Sequence, residues 1–197
     1  MEDGDLLRRI AAKDLGAFKT LVDRYQGRVL GLCSRLISHP QNAEDVAQDV
    51  FFQIYRSCGV FRHDSRVSTW IYRITVNRCR NFNRANRRLG PLGEFRRARD
   101  SEGSNGPDVP APEGDNPASA WALNDTIEII RKSISALPEK QRTMLVLNKF
   151  EGHSYQEIAE IMDVSVASVE SCLHRAKLNL QKRLAPQFPD LCRGRKF

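Results

Sequence analysis

Residues 154–184, SYQEIAEIMDVSVASVESCLHRAKLNLQKRL, carry apolar residues at helical spacing in two blocks separated by a short break at 163–165. Ser154 and Glu157 have the S-x-x-E spacing of a capping box, in which both side chains accept hydrogen bonds from backbone N–H groups at a helix start. Ser165 can cap the second block. The apolar positions of that block follow one side of a helix: Val169, Leu173, Ala176, Leu180 and Leu184. Two helices joined by a three-residue turn predict a helix-turn-helix, with two packed helices that do not touch DNA as the alternative.

The last of these helices would also expose a set of polar and basic side chains: Ser168, Ser171, His174, Arg175 and Lys177. Hydroxyl, imidazole and cationic groups bind phosphates and reach base edges in the DNA major groove. If the two helices read DNA, these residues are the candidate contacts.

Two further helices are predicted just before this pair. Apolar residues at helical spacing define a short amphipathic helix: Ile127, Ile130, Ile134 and Leu137. Pro138 ends that helix and suits the first position of the next one, which stops at Glu151-Gly152.

Composition narrows the class of protein. The 197-residue chain has a net charge of +7 and an isoelectric point near 9.4, which favours an anionic partner such as nucleic acid, a membrane surface or an acidic protein. No apolar run approaches the roughly 18 residues of a membrane span, and the start MEDGDLLRR lacks the apolar core of a secretion signal. The sequence therefore predicts a cytoplasmic protein without membrane insertion. The five cysteines are far apart and never spaced C-x-x-C, so most should be buried apolar side chains rather than disulfide partners or zinc ligands.

Charge and composition divide the chain into four segments. Residues 1–90 carry 16 Lys/Arg and 9 Asp/Glu, residues 91–121 carry 3 and 6, and residues 122–197 carry 12 and 9. The middle segment holds five prolines and four glycines with almost no periodic apolar residues, so it cannot bury enough surface to offset its ordering entropy. We predict a first domain over 1–90, a flexible acidic linker over 91–121, a second domain over 122–186 and a tail over 187–197. Helical periodicity without strand-like alternation predicts that both domains are all-α.

The first domain contains a long amphipathic helix with apolar residues at helical spacing: Phe18, Leu21, Val22, Tyr25, Val29, Leu32 and Leu36. It ends at His39-Pro40, and Asn42 can cap the next helix. The buried stripe of that next helix would comprise Val46, Ala47, Val50, Phe51 and Ile54. Its other side would carry Asp45, Gln48, Asp49, Phe52 and Arg56. A row of acidic and amide side chains that only faces solvent does not need an aromatic residue such as Phe52. The alternative is a solvated face with one partly covered Phe.

A third helix is predicted from about Ser68-Thr69 to about Arg88. Its core residues would be Ile71, Ile74 and Phe82. One side collects aromatic, amide and cationic groups: Trp70, Arg73, Asn77, Asn81, Arg84 and Arg88. The polar loop before the helix adds Phe61, Arg62 and Arg66. Cations neutralise phosphates, aromatics stack on exposed bases and amides read base edges, so this mixture suits nucleic acid. A solvated basic helix with a core Trp is the alternative.

Three stretches in this order resemble one known family. They are NAEDVAQDVFFQIYR (42–56), FRHDSRVSTWIYRITVN (61–77) and LPEKQRTMLVLNKFEGHSYQEIAEIMDVSVASVESCLHRAK (137–177). Together they resemble the two conserved domains of a bacterial extracytoplasmic-function sigma factor, over roughly residues 6–90 and 122–185. The resemblance implies a promoter-specificity subunit of RNA polymerase with no catalytic centre, cofactor or metal of its own.

The resemblance also implies a role for particular residues. A candidate docking row would bind the clamp helices of the largest polymerase subunit: Asp45, Gln48, Asp49 and Phe52. A candidate −10 surface would melt the −10 promoter element: Phe61, Arg62, Arg66, Trp70, Arg73 and Asn77. Within it, Phe61 and Asn77 would line the pocket for a flipped base. A candidate −35 surface would read the −35 duplex: Ser168, Ser171, His174, Arg175 and Lys177. The family usually also has an anti-sigma partner.

Two other classes of function compete with this interpretation. A stand-alone repressor or activator would bind duplex DNA as a homodimer on a palindrome, without polymerase. A cysteine-dependent enzyme would need a base beside its nucleophile, but Cys172 and His174 are two residues apart and point about 200° apart on a helix. The acidic linker favours a sigma factor, since it can thread through a basic polymerase channel.

Overall fold

The structure is a computed structural model that describes residues 1–37, 40–62, 64–98 and 117–188. The first domain consists of α1 (Asp3–Ala11), α2 (Leu15–Leu36), α3 (Pro40–Ser57), a short 3₁₀ helix (Cys58–Val60) and α4 (Val67–Ala98). The second domain consists of α5 (Pro117–Ser135), α6 (Glu139–Lys149), α7 (Tyr155–Met162) and α8 (Val166–Leu184). The regular secondary structure of the described residues is helical, which confirms the predicted all-α fold class.

The first domain is built around α2, which packs against α1, α3 and α4. The predicted stripe of α3 is confirmed: Val46, Ala47, Val50 and Ile54 are buried and Phe51 is partly buried against them. Helix α1 was not predicted, and it contributes Leu6, Leu7 and Ile10 to the core. Cys33 of α2 and Cys79 of α4 are wholly buried with their Sγ atoms 3.7 Å apart.

The second domain contains the predicted helix-turn-helix. The Ser154 hydroxyl accepts from the Glu157 N–H while the Glu157 carboxylate accepts from the Ser154 N–H, so the capping box is confirmed. Ser165 caps α8 by accepting from the Ser168 N–H. Between the two helices Asp163 adopts a left-handed conformation with φ 53°, which turns the chain. Gly152 also has a positive φ, 73°, in the turn before α7.

Several predicted helix ends differ from the structure. Asn42 lies inside α3, so the predicted Asn42 cap is wrong; the helix starts at Pro40, whose fixed φ suits a first helical turn. Helix α4 runs past its predicted end near Arg88 to Ala98, and α5 already begins at Pro117, so helices enter both ends of the predicted linker. Pro91 costs α4 one backbone hydrogen bond without forcing the chain out of the helix. Residues 99–116, His63, and residues 189–197 with Cys192 lie outside the described residues.

The two domains pack against each other through α2 with α6 and through α4 with α7. Buried apolar side chains of both domains form one continuous cluster. Six consecutive residues of α6, 142–147, are buried. Since consecutive residues point in all directions around a helix, this part of α6 is surrounded by other elements.

In the described ranges, no helix has both the length and the apolar character required to cross a lipid bilayer. In the same ranges, no cluster of three or more His, Cys, Asp or Glu side chains is arranged to hold a metal ion.

Candidate functional site

The candidate docking row lies on the exposed side of α3. Asp45, Gln48, Asp49 and Phe52 are all exposed, and so is Arg56 further along the same side. Phe52 is 62% exposed, whereas Phe51 beside it packs against the core. Gln53 accepts a hydrogen bond at 2.8 Å from Arg78 of α4, which ties α3 to the neighbouring helix. The row is therefore a polar surface with one large uncovered aromatic ring, held on a rigid helix.

The candidate −10 surface begins in the loop before α4. The rings of Phe61 and Trp70 lie 5.0 Å apart with an interplanar angle of 44°, and both are partly buried against the core. Arg62 and Arg66 are exposed on either side of His63, which lies outside the described residues. The aromatic pair thus anchors the loop to the start of α4 and leaves the loop's two cations at the surface.

Further along α4, the surface borders a crevice of about 680 Å³ between the two domains. Its lining is Arg73, Asn77, Arg80, Glu139, Lys140, Thr143, Ile161, Met162, Asp163 and Val164. The structure therefore brings Arg73 and Asn77 together in this crevice, but Phe61 is not part of its lining. Arg80 also lines it and was not predicted as a site residue; its place near Arg73 and Asn77 on α4 could have identified it.

Two cations of the candidate −10 surface contact the second domain. Arg73 Nη2 donates to the main-chain oxygen of Glu160 in α7 at 2.5 Å. Arg66 Nη1 lies 3.4 Å from Glu157 Oε1 at the start of α7. The Nε of Arg73 is buried and has no partner among the described atoms. The first helix of the helix-turn-helix therefore covers part of this surface.

The candidate −35 surface lies on α8. Its apolar stripe is buried at Val169, Leu173 and Ala176, and partly buried at Leu180 and Leu184. Ser171, His174, Arg175 and Lys177 are exposed and Ser168 is half-buried. Arg175 Nε donates to the Ser171 carbonyl at 3.2 Å.

Helix phase separates one member from this group. At about 100° per residue, Ser168, His174 and Arg175 lie within roughly 60° of Ser171, whereas Lys177 lies about 120° away. The structure therefore groups four of the five predicted residues on one side of α8 and places Lys177 to the side.

Glu151 of the second domain contacts two side chains of the first domain. Its side chain is only 9% exposed. Tyr72 of α4 donates its hydroxyl to Glu151 Oε2 at 2.9 Å, and Arg35 of α2 lies 3.4 Å from Glu151 Oε1. The Tyr72 ring also meets the His153 ring edge-on, with centroids 4.4 Å apart. Burial and the neighbouring carboxylate both raise the pKa of Tyr72, so its hydroxyl remains a donor at neutral pH.

A buried arginine makes a second contact across the same interface. Arg142 of α6 donates from Nη2 to the Leu36 carbonyl at the end of α2, at 2.8 Å. Asn83 of α4 donates to the same oxygen at 3.1 Å. Burial lowers the pKa of Arg142, although the guanidinium stays charged. A cation at a helix C-terminus is favourable because the helix dipole is negative there.

Two family models match the chain, one in each domain. Residues 21–89 match the family model "Sigma-70 region 2" and residues 127–180 match "Sigma-70, region 4". The RNA polymerase sigma-H factor of Pseudomonas aeruginosa is 37% identical over 185 residues, which cover 94% of this chain and 95% of that protein. The ECF RNA polymerase sigma-E factor of Haemophilus influenzae is 37% identical over 191 residues, covering 94% and 97%.

Two solved structures share the fold. CnrH in complex with the cytosolic domain of CnrY superposes with a TM-score of 0.64 at 22% identity, covering 93% of this chain and 97% of that chain. The sigma factor RpoE in complex with the anti-sigma factor NepR, from Bartonella quintana, gives a TM-score of 0.59 at 23% identity, covering 85% and 96%.

Proposed function

We propose that this chain, which belongs to the extracytoplasmic-function family of RNA polymerase sigma factors, binds core polymerase with its first domain and the promoter with both domains. Sigma factors are non-catalytic subunits that direct the polymerase to promoters. Family membership therefore sets aside the stand-alone repressor and the cysteine-dependent enzyme. In line with this, Cys172 is buried whereas His174 is exposed.

Polymerase docking is assigned to the row on α3 formed by Asp45, Gln48, Asp49 and Phe52. The exposed Phe52 ring is the observation that carries this assignment. An aromatic ring on an otherwise acidic and amide surface has no solvation benefit, but it supplies apolar contact area at the centre of a polar interface. The carboxylates around it suit a basic partner surface, here the clamp helices of the largest polymerase subunit.

Melting and capture of the −10 element are assigned to the loop before α4 and to α4 itself. Arg62, Arg66 and Arg73 would neutralise phosphates, and Phe61, Trp70 and Asn77 would hold an unstacked base. Stacking on an aromatic contributes about 1–3 kcal/mol per base, which can offset the few kcal/mol that unstacking costs. The Phe61–Trp70 pair supports this, since it is a preformed aromatic platform beside two exposed cations.

Reading of the −35 duplex is assigned to α8, the second helix of the helix-turn-helix. Ser168, Ser171, His174 and Arg175 share a side that would face the major groove. Lys177 is exposed beyond that side and would reach a phosphate rather than a base.

We further propose a cytoplasmic location, since core polymerase and promoter DNA are there. The division into residues 1–90, 91–121, 122–186 and 187–197 remains our functional division of the chain. An anti-sigma factor is a third proposed partner; the structural relative RpoE is described in complex with one.

Reconstituted transcription tests these assignments. Core polymerase is mixed with the chain and a promoter library, and binding to core is measured separately for Asp45→Arg and Gln48→Ala. Asp23→Arg is the matched control, because it makes the same charge change at an exposed position of α2, outside the docking row. We expect weaker core binding for the first two variants only. Normal binding by both would refute the docking assignment, and absence of any selected promoter would refute the function.

A further inference from the structure

One acidic side chain lies on the helix that would enter the DNA major groove. Glu170 is the only acidic residue of α8, whose charged residues are otherwise the cations Arg175, Lys177, Lys182 and Arg183. Glu170 is exposed, and within the described part of the chain its carboxylate takes part in no hydrogen bond or ion pair. A free carboxylate on a DNA-binding helix repels phosphates, so it weakens binding unless the DNA supplies a hydrogen-bond donor.

Helix phase places Glu170 beside the candidate base contacts. At about 100° per residue, Glu170 lies roughly 40° from His174, which is one turn further along α8. Because α8 begins at Val166, Glu170 is in its second turn, and the amino-terminal residues of a recognition helix are those that contact base edges. Lys177 lies on the same side two turns later. Glu170 can therefore reach a base edge where Lys177 would reach a phosphate.

The packing of α8 fixes where Glu170 points. Val169 and Leu173, which flank it on the buried side of the helix, are 0% and 1% exposed. Ser165 caps the same helix by accepting from the Ser168 N–H. Cys172 is buried as well, so it does not contact DNA. The Glu170 carboxylate is thus held on a rigid element, as base recognition requires.

We propose that Glu170 is a specificity-determining residue of the −35 contact, and that its carboxylate selects a cytosine by accepting a hydrogen bond from the exocyclic N4 amine. The proposal rests on the proposed function, since it assumes that α8 reads the −35 duplex. In the major groove guanine presents two acceptors, thymine an acceptor and a methyl group, and adenine an amine beside the acceptor N7. Cytosine alone presents a donor and no acceptor, which is what a carboxylate requires.

Selection by Glu170 depends on repulsion as well as attraction. Opposite guanine or thymine, the carboxylate loses water and meets acceptor atoms, so the complex is penalised. Opposite cytosine, the charge-assisted hydrogen bond offsets that cost. Glu170 should therefore lower the affinity of α8 for most duplexes and lower it least where a cytosine is within reach.

The spacing to Arg175 predicts the layout of the −35 element. An arginine typically reads guanine through O6 and N7. Glu170 and Arg175 are five residues apart, which is about 7.5 Å along the helix axis, or roughly two base-pair steps of 3.4 Å. A cytosine selected by Glu170 and a guanine selected by Arg175 should thus lie about two base pairs apart, counted on either strand.

The test is selection from a promoter library by holoenzyme made from core polymerase and the full chain. The −35 duplex is randomised and the −10 element is fixed as a sequence that the holoenzyme uses. Glu170→Gln keeps the size of the side chain and adds a donor, whereas Glu170→Ala removes the polar group. Glu128→Gln is the matched control, because Glu128 is exposed on α5 and its carboxylate pairs within that helix, with Arg131 and Lys132.

We expect the original chain to prefer cytosine at one −35 position by roughly ten- to a hundredfold. Glu170→Gln should move that preference to adenine, because an amide can accept from N6 and donate to N7. Glu170→Ala should abolish the preference at that position alone and raise binding to duplexes that lack the cytosine. Glu128→Gln should select the same sequences as the original chain.

Two results would overturn the proposal. Unchanged base preferences in Glu170→Gln and Glu170→Ala would mean that the carboxylate reads no base, and an equal gain in binding for every sequence would mean that it only repels phosphates. If Arg175→Ala relaxes one −35 position while the Glu170 variants relax none, the proposed function holds and the role of Glu170 is wrong. If the original chain selects no −35 base at all, the assignment of α8 to the −35 element fails, and this proposal fails with it.

Discussion

Replacing Tyr72 with Phe removes one hydroxyl from the contact between the domains and leaves the ring against His153. The hydroxyl donates to Glu151 Oε2 at 2.9 Å, and the Glu151 side chain is only 9% exposed, so water can replace the lost donor only after the domains separate. A hydrogen bond to a charged group contributes about 1.5–3 kcal/mol. At about 1.4 kcal/mol per factor of ten, the ratio of open chains, with the domains separated, to closed chains, with the domains in contact, should rise roughly 10- to 100-fold.

The measurement is energy transfer between dyes attached at positions 44 and 125, which are exposed and lie one in each domain, followed during a salt titration. Salt screens the ion pairs of the interface, so Tyr72→Phe should open at lower salt than the original chain. Tyr25→Phe is the matched control, because the Tyr25 hydroxyl also donates to a carboxylate, that of Asp3, but entirely within the first domain. It should lower the stability of that domain without moving the opening midpoint.

A double-mutant cycle then assigns the effect to one hydrogen bond. In a Glu151→Ala background the Tyr72 hydroxyl has lost its acceptor, so Tyr72→Phe should have little further effect. If its full effect persists in that background, or if the midpoint of the single variant does not move, the Tyr72–Glu151 bond does not hold the domains together.

Three further predictions concern the second domain. Arg175→Ala should weaken binding to duplex promoters by about 1–3 kcal/mol and reduce transcription from them, with a much smaller effect on a pre-opened template. Lys177→Ala should have a smaller effect than Arg175→Ala on both templates. Equal losses on the two templates for Arg175→Ala would contradict its −35 assignment. Gly152→Ala should lower the free energy of unfolding by roughly 1 kcal/mol, because φ is +73° and the added methyl group meets open space, so that backbone strain is the only cost. Gly27→Ala, in the middle of α2 with equal space, should instead stabilise the chain. Equal melting temperatures for the two variants would contradict this reasoning. The Ser154 N–H and hydroxyl lower the pKa of Glu157, so that carboxylate stabilises α7 fully above its ordinary pKa and loses this effect as pH falls through the lowered one; Glu157→Gln should flatten acid unfolding of α7 followed by hydrogen exchange, and an unchanged acid limb would refute it.

Local rules predicted the elements of this fold well. The capping box of Ser154 and Glu157 and the cap at Ser165 need only residues three apart, and both are present in the structure. The buried stripe of α3 follows from apolar spacing alone. Asn42 failed as a cap because Pro40 offers a stronger helix start two residues earlier, and a single-residue preference cannot decide between such neighbours.

The relation between the domains could not be predicted from the sequence. Arg35 and Glu151 are 116 residues apart, and each by itself is a charged residue of a kind that is usually solvated. Arg142 falls in an ordinary amphipathic pattern, and only its burial against Leu36 distinguishes it. Side-chain chemistry and resemblance identify the candidate site residues in the sequence. Their exposure on α3 and α8 is predictable too, because it depends only on their position around the helix axis. Contact of Arg66 and Arg73 with α7 depends on tertiary packing, which no local pattern encodes.

The enclosed stretch of α6 has a consequence for how this sequence can vary. On a helix with one solvent-exposed side, such as α3, tolerance of substitution should rise and fall with each turn. Over residues 142–147 no side of α6 is exposed to solvent. A saturation mutagenesis map should therefore show a continuous block of intolerant positions there, with no helical period. One part of that block would be constrained by the second domain's own core and the other by its contact with α2. In a chain cut between the domains, the period should reappear, since the side that faced α2 would be released from selection while the core side would not.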